Sequence, residues 1–275
     1  MRQKMLLSVF FLLMLAIPAT ASVLDKPRDF TLTYGVYGGG FQALTIDLHF
    51  KFSPTTYRVT MDAKPYGVLG HLLPWAGQYD TQGVVRKNVL TPQHHEKRSG
   101  WRDDHSHLTM TYDRTGRLIK QMQEETSGKK TKMTEIPVAS ETSKDAVDIT
   151  TGIVRMMVAA NDHDTCTHES MIYDGKRRFR MVFKDKGREK LADSKINIAR
   201  GTARRCQLEL VPVLGFKGKP RGYYMIQEQA RALGALPLVW VAPLWQGGPA
   251  VPVRMLVKSD FGSVFIHVQK VLTNY

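Results

Sequence analysis

Short stretches of strict alternation, cut by glycine, proline, aspartate or asparagine, run through most of this chain. Residues 41–50 (FQALTIDLHF) are typical. Leu44, Ile46, Leu48 and Phe50 fall on one side, and Ala43, Thr45, Asp47 and His49 on the other. A period of two is that of a strand with one buried face. The same texture predicts strands over 30–36, 41–50, 56–63, 77–85, 90–97, 107–112, 118–124, 169–173, 177–184, 189–192, 203–211, 223–228, 238–241, 251–258 and 264–271. Turn dipeptides such as Asp174-Gly175, and the Asp113-Arg-Thr-Gly116 exit, join several of them. The expected fold is mainly β, a curved antiparallel sheet or open barrel-like meander.

The glycines Gly38, Gly39 and Gly40 precede a strand. A phosphate loop requires a following helix, whose free N–H groups hold the anion. These glycines therefore read as a turn between two strands, where positive φ carries no steric cost. One segment breaks the β texture decisively. From Asp148 onwards Ile149, Ile153, Met156, Met157 and Ala160 recur at helical spacing, with Asp148 or Thr150 as N-cap. This predicts one capping α-helix over about 148–160. Residues 129–144 are polar and aperiodic and read as a loop, or equally as a divide between an N-terminal and a C-terminal sheet.

The start of the chain gives an address. Arg2 and Lys4 precede an apolar core from Met5 to Ile17, and Ala19-Thr20-Ala21 supplies a small-x-small cleavage pattern. The apolar run is shorter than the roughly 20 residues that a membrane-spanning helix needs. Residues 1–21 are thus expected to be a cleaved signal peptide, and 22–275 a single β-rich envelope domain in the periplasm. No cysteine follows the cut, so a lipoprotein is not expected, and nothing in the mature chain reads as a transmembrane helix. Removing Arg2 and Lys4 takes the formal charge from +14 to +12 (14 minus 2). Such a chain favours anionic partners, and after export those are envelope lipid, glycolipid or anionic polymer and not nucleic acid. Cys166 and Cys206 are the two cysteines. In an oxidising compartment that number predicts one disulfide in preference to a metal or catalytic thiol.

Few residues suggest chemistry. His95 and His107 sit on the arms of a predicted hairpin turning near 100–103, and in that register they face each other, on the side away from Leu108, Met110 and Tyr112. Asp103, Asp104 and His105 lie nearby. Two histidines do not make a closed zinc site, so no metal is expected. No nucleophile elbow, zincin or Ser-x-x-Lys motif occurs, and neither Asp103/Asp104 nor Glu124/Glu125 can share a substrate atom from one strand. No catalytic residue and no cofactor is assigned. On 176–184, Phe179, Met181 and Phe183 share one face and Arg178, Arg180 and Lys184 the other. The first three are candidates for an apolar ligand surface, the second three for an anion dock. Leu69, Leu72, Leu73 and Trp75 are candidates for an apolar lip, and Trp240 to Trp245 for a second wall.

The order of several motifs resembles the bacterial exported domain-of-unknown-function family 3108. They are the Tyr34-Gly-Val-Tyr-Gly-Gly-Gly40 turn, Gly67-Val-Leu-Gly-His-Leu-Leu-Pro-Trp75, the helix from Asp145 to Val158 and Tyr173-Asp-Gly-Lys-Arg-Arg-Phe179. Cys206-Gln-Leu-Glu-Leu-Val-Pro-Val-Leu-Gly-Phe216 and 251–263 complete the set. The helix lacks the Pro, Ser and Leu that usually open it in that family. The resemblance implies a curved antiparallel envelope protein with no established activity to carry over. The expected function is non-enzymatic binding of an amphipathic or anionic envelope component. The alternatives are an envelope assembly protein with a filled core and a protein partner, and then a lipid or wall hydrolase.

Overall fold

The computed structural model describes Ser22, 24–72, 74–216, 223–260 and 262–274, without the side chains of His71, Leu72 and Tyr223. The expected signal peptide at 1–21 lies outside the described residues, as does Leu73. The first half of the chain is a run of hairpins: β1 (Arg28–Gly38), β2 (Phe41–Phe52), β3 (Thr56–Pro65), the one-turn helix α1 (Leu69–Leu72), β4 (Trp75–Arg86), β5 (Val89–Trp101), β6 (Asp104–Tyr112), β7 (Leu118–Ser127) and β8 (Lys130–Glu135). The second half adds α2 (Ser140–Ser143), α3 (Ile149–Asp162), β9 (His168–Tyr173), β10 (Arg178–Lys190), β11 (Thr202–Leu214), α4 (Tyr223–Ala232), β12 (Leu238–Pro243), β13 (Ala250–Ser259) and β14 (Gly262–Thr273).

All fourteen strands form one antiparallel sheet, ordered 8-7-6-5-4-3-2-1-14-13-12-11-10-9. Two meanders therefore join where β1 pairs with β14. The edge strands β8 and β9 do not pair, so the sheet is curved but not closed into a barrel. The Gly39–Gly40 turn between β1 and β2 has φ of 58° and 86°, the left-handed pair that a two-residue hairpin needs.

Curvature is visible in what α3 touches. The helix packs on β5, β9 and β13, which are remote from one another in strand order. It therefore lies in the trough of the sheet. Asp148 is its N-cap, accepting from the Thr151 N–H, and Val154, Met156, Met157 and Ala160 are buried. Ile149 and Ile153 pack at the margin of the core. Close approach depends on Gly152, where a Cβ would fall 2.5 Å from Met181 Cε and 2.6 Å from Ile172 Cδ1. Phe30, Leu32, Phe50, Tyr57, Phe179, Met181 and Phe183 belong to the same cluster. Each fully buried side chain of this size contributes about 1.5–3 kcal/mol.

Cys166 and Cys206 form a disulfide, with Cα atoms 6.1 Å apart. It fastens the coil between α3 and β9 to β11. Asp185 Oδ2 reinforces that junction, accepting from Cys166 N–H at 3.2 Å, Thr165 Oγ1 at 3.1 Å and Arg204 Nη1 at 2.7 Å.

Two predicted segments differ. Residues 223–228 form a helix, not a strand: α4 packs on β11 and β13, burying Gln227 and Ala230 at helical spacing. Residues 130–135, read as loop, form β8, an edge strand whose six residues are all exposed. An edge facing solvent on both sides has no apolar alternation to read.

Candidate functional site

The β5–β6 hairpin turns at Arg102–Asp103, with Trp101 opposite Asp104. This shifts the register by three residues from the sequence expectation, and an odd shift exchanges the faces. His95 consequently pairs with Met110 and points into the trough, while His107 pairs with Arg98 on the outer face. The two histidines do not meet. His107 Nε2 instead lies 3.5 Å from Glu96 Oε2, and His94 Nε2 lies 2.9 Å from Glu96 Oε1. No group of three or more candidate metal ligands is assembled among the described residues.

His95 enters a buried polar cluster beneath α3. Its Nδ1 is 2.7 Å from Thr81 Oγ1 and 3.3 Å from Asp148 Oδ1. The Thr81 hydroxyl donates to Asp148 Oδ1 at 3.2 Å, and Thr151 Oγ1 donates to Asp148 Oδ2 at 2.6 Å. The Tyr57 hydroxyl meets Thr151 Oγ1 at 2.7 Å. Burial opposes ionisation of Asp148, but His95 and the Thr151 hydrogen bonds more than offset it and hold the carboxyl below its usual range. Burial also pushes the Tyr57 phenol well above its ordinary value, with the Asp148 charge adding to the effect. Asp148 is wholly buried and His95 nearly so. The cluster positions the helix, because every polar atom needs its partner when water is excluded.

The candidate ligand residues fall in two places. Phe179, Met181 and Phe183 are buried in the main core beneath α3. Leu69 and Trp75 are partly exposed and lie outside that cluster, at the end of the sheet where β3 passes into β4. Leu72 occupies the last position of α1. Arg178, Arg180 and Lys184 face away from the core, as the alternation implies. Arg178 donates to the Glu141 carbonyl at 2.9 Å, Arg180 pairs with Glu169 at 3.3 Å and Lys184 with Glu209 at 3.5 Å. Of the suggested second wall, Trp240 is buried beneath the Arg254 guanidinium at 4.6 Å, and Trp245 packs edge-on to Phe30.

Trp75 belongs to an open hollow of about 550 Å³ at the end of the trough. The register explains it. One row across β4 to β8 reads Gly77, Ser99, Ser106, Glu125, Lys132. The next row toward the end pairs Trp75 with Trp101, Trp101 with Asp104, and Ser127 with Lys130. Ser127 Oγ donates to Asp104 Oδ1 at 2.7 Å, which aligns the two pairs in a single row. Deeper in the trough, the β9–β10 turn covers the floor, with the Gln121 amide donating to the Gly175 carbonyl at 2.7 Å. Beyond that cover the floor is open, and small residues leave the space. Trp75 was singled out by its sequence neighbours. Trp101, Lys130 and Lys132 were not, because only the strand order brings them beside it.

The same end of the sheet carries the hairpin tips β1–β2, β3–β4, β5–β6 and β7–β8. Three of these tips leave large apolar side chains in solvent: Phe41 is 78% exposed, Val68 76%, Tyr66 51% and Trp101 45%. No helix among the described residues is long and apolar enough to cross a membrane.

A search of curated proteins finds no match. A family model described as "Protein of unknown function (DUF3108)" matches residues 29–269, which spans every strand from β1 to all but the last residues of β14. Because that match covers most of the chain, the chain belongs to the DUF3108 family.

Proposed function

We propose that this is a non-enzymatic protein of the cell envelope, exported to the periplasm by its N-terminal segment, that binds an amphipathic, anionic envelope component at the tip end of its sheet. The observation that carries the reading is the row of exposed apolar side chains on adjacent tips, Phe41, Tyr66, Val68 and Trp101. Isolated exposed apolar residues are ordinary, but several on neighbouring hairpin tips at one end of a sheet suit a lipid surface. Aromatic rings are at home in the headgroup layer. Lys64, Arg102, Lys129, Lys130 and Lys258 stand at these tips and the neighbouring β13–β14 turn against Asp103, Asp104 and Asp260, leaving a positive balance. The trough itself is occupied by α3 and its core, so the ligand is met at the end of the sheet and not enclosed within it.

The test is co-sedimentation of the mature chain with phosphatidylcholine vesicles, with and without phosphatidylglycerol. Binding is expected to the anionic vesicles and to weaken with salt, since charges at a surface are screened beyond roughly 8 Å at physiological ionic strength. The double variant Phe41→Ser, Val68→Ser should lose about tenfold or more in affinity, given roughly 25 cal/mol per Å² of apolar surface transferred. A wild-type chain that stays in the supernatant with both vesicle types overturns the proposal. A second reading, an envelope assembly protein with a protein partner, is favoured by the open edge of β8. Such an edge offers unpaired backbone groups to an added strand, although Lys130 and Lys132 guard it in the manner of edges that avoid pairing.

A further inference from the structure

We propose that the open hollow at the end of the trough is a binding site for an acidic sugar, a pyranose ring carrying a phosphate or carboxylate. This deepens the envelope reading above at a surface that adjoins the lipid-facing tips and shares Trp101 and Lys130 with them.

Three observations converge on that chemistry. The first is the pair of indoles. Trp75 and Trp101 are cross-strand partners at the mouth of the hollow. The Trp75 ring lies over Gly77, where a Cβ would come within 2.8 Å of Cζ2. Gly77 therefore leaves room for the benzo edge of the indole beside the floor, and Trp75 lines the hollow. An indole face is electron-rich and attracts the polarised C–H groups of a sugar ring. The second is the floor itself. Ser99, Ser106, Asp104 and Glu125 present hydroxyls and carboxylates across neighbouring strands. Hydroxyls donate and accept, and carboxylates accept, which matches a ligand that offers hydroxyl groups around a ring. Part of the set is already oriented: the Gln123 amide donates to Ser106 Oγ at 2.9 Å, and Ser127 holds Asp104.

The third is charge. Lys130 and Lys132 close the far side of the hollow on β8. Neither makes an ion pair with a described carboxylate. The cations of β10 and β11 behave differently, since Arg180, Lys184, Arg204 and Arg205 each meet an acidic partner. Two ammonium groups on adjacent rows of one strand can receive one anionic substituent as point charges. The volume, about 550 Å³, suits a ligand of one or two sugar rings, within the usual range for small-molecule sites. Its width to solvent suits the end of a longer glycan or the head of a glycolipid.

The site can be tested without membranes by titrating the mature chain with N-acetylglucosamine 1-phosphate and following tryptophan fluorescence and calorimetry. N-acetylglucosamine and inorganic phosphate serve as the two half-ligands. The sugar phosphate is expected to bind at least tenfold more tightly than either. Trp75→Ala should abolish the saturable response. Lys130→Glu with Lys132→Glu should reduce the sugar phosphate to the level of the neutral sugar. Trp101→Ala, at the exposed end of β5, should weaken binding and serves as the check if Trp75→Ala unfolds. The Phe41→Ser, Val68→Ser variant should keep full affinity, which separates this site from vesicle docking. Overturning results are no saturable carbohydrate response, equal binding of sugar phosphate and inorganic phosphate, equal binding of the charged and neutral sugars, or a response untouched by both tryptophan variants.

Discussion

Replacing Asp148 by alanine is expected to cost about 3–5 kcal/mol, because a buried carboxylate is removed and the groups that donate to it are left without a partner. The loss has two sources. The N-cap of α3 disappears, which alone costs about 1 kcal/mol. Thr81, Thr151 and His95 keep their polar atoms in a space without water, and each orphaned group adds a desolvation penalty of about 1–3 kcal/mol before relaxation. Urea unfolding of the mature chain measures the sum. Asp148→Asn should be milder, because asparagine remains a good cap. A loss below about 1 kcal/mol for the alanine variant would falsify the tethering role of the cluster, since surface-like effects stay in that range.

The same carboxylate gives a pH dependence of defined sign. Its folded pKa lies below the ordinary value, so the unfolded state binds protons more readily. The stabilisation is present in full above the unfolded aspartate pKa of about 3.9. It is lost as the pH falls through the lower folded value. Unfolding free energy should therefore fall on the acid side of about pH 4, and the slope there should be shallower in Asp148→Asn.

Loss of the disulfide is the second large effect. Cys166 and Cys206 are 40 residues apart. Releasing a loop of that length costs about 4 kcal/mol in the chain-entropy model. The Cys166→Ser, Cys206→Ser variant should show this loss, and the wild type should reach the same midpoint under a thiol reductant. Identical unfolding midpoints with and without reductant would sink the prediction. The bond encloses β9, β10 and the first residues of β11, so the variant should loosen that edge before the centre of the sheet.

How much of this could be read from the residues varies with the source of the signal. Strands such as Phe41–Phe52 and the stripe of α3 were legible because one buried face imposes its period on the sequence. At 223–228 the run Tyr-Tyr-Met-Ile suggested a strand. The helical signal was weaker: polar Gln227 and small Ala230 on the buried side, and the Glu228–Arg231 pair one turn apart. Phe179, Met181 and Phe183 were rightly placed on a common face, but alternation gives no sign of what covers that face. Here α3 covers it, through Gly152. The hollow was the least legible feature. Gly77, Ser99, Ser106, Glu125 and Lys132 come from five strands, and none carries a local pattern that marks it as a neighbour of the others.

The strand order has a consequence for how the molecule is made. Because β1 pairs with β14, the seam at the middle of the sheet is formed by the first and last strands among the described residues, down to the Asn274 N–H donating to the Asp29 carbonyl at 2.9 Å. Each meander can zip from its own hairpins, with short loops to close. The seam cannot form until the last strand has emerged, and pairings between sequence-distant segments are the slow ones. Until then β1 is an open border on one half-sheet. β14 is thus not a trimming at the periphery: a chain without it lacks the strand that joins its two halves.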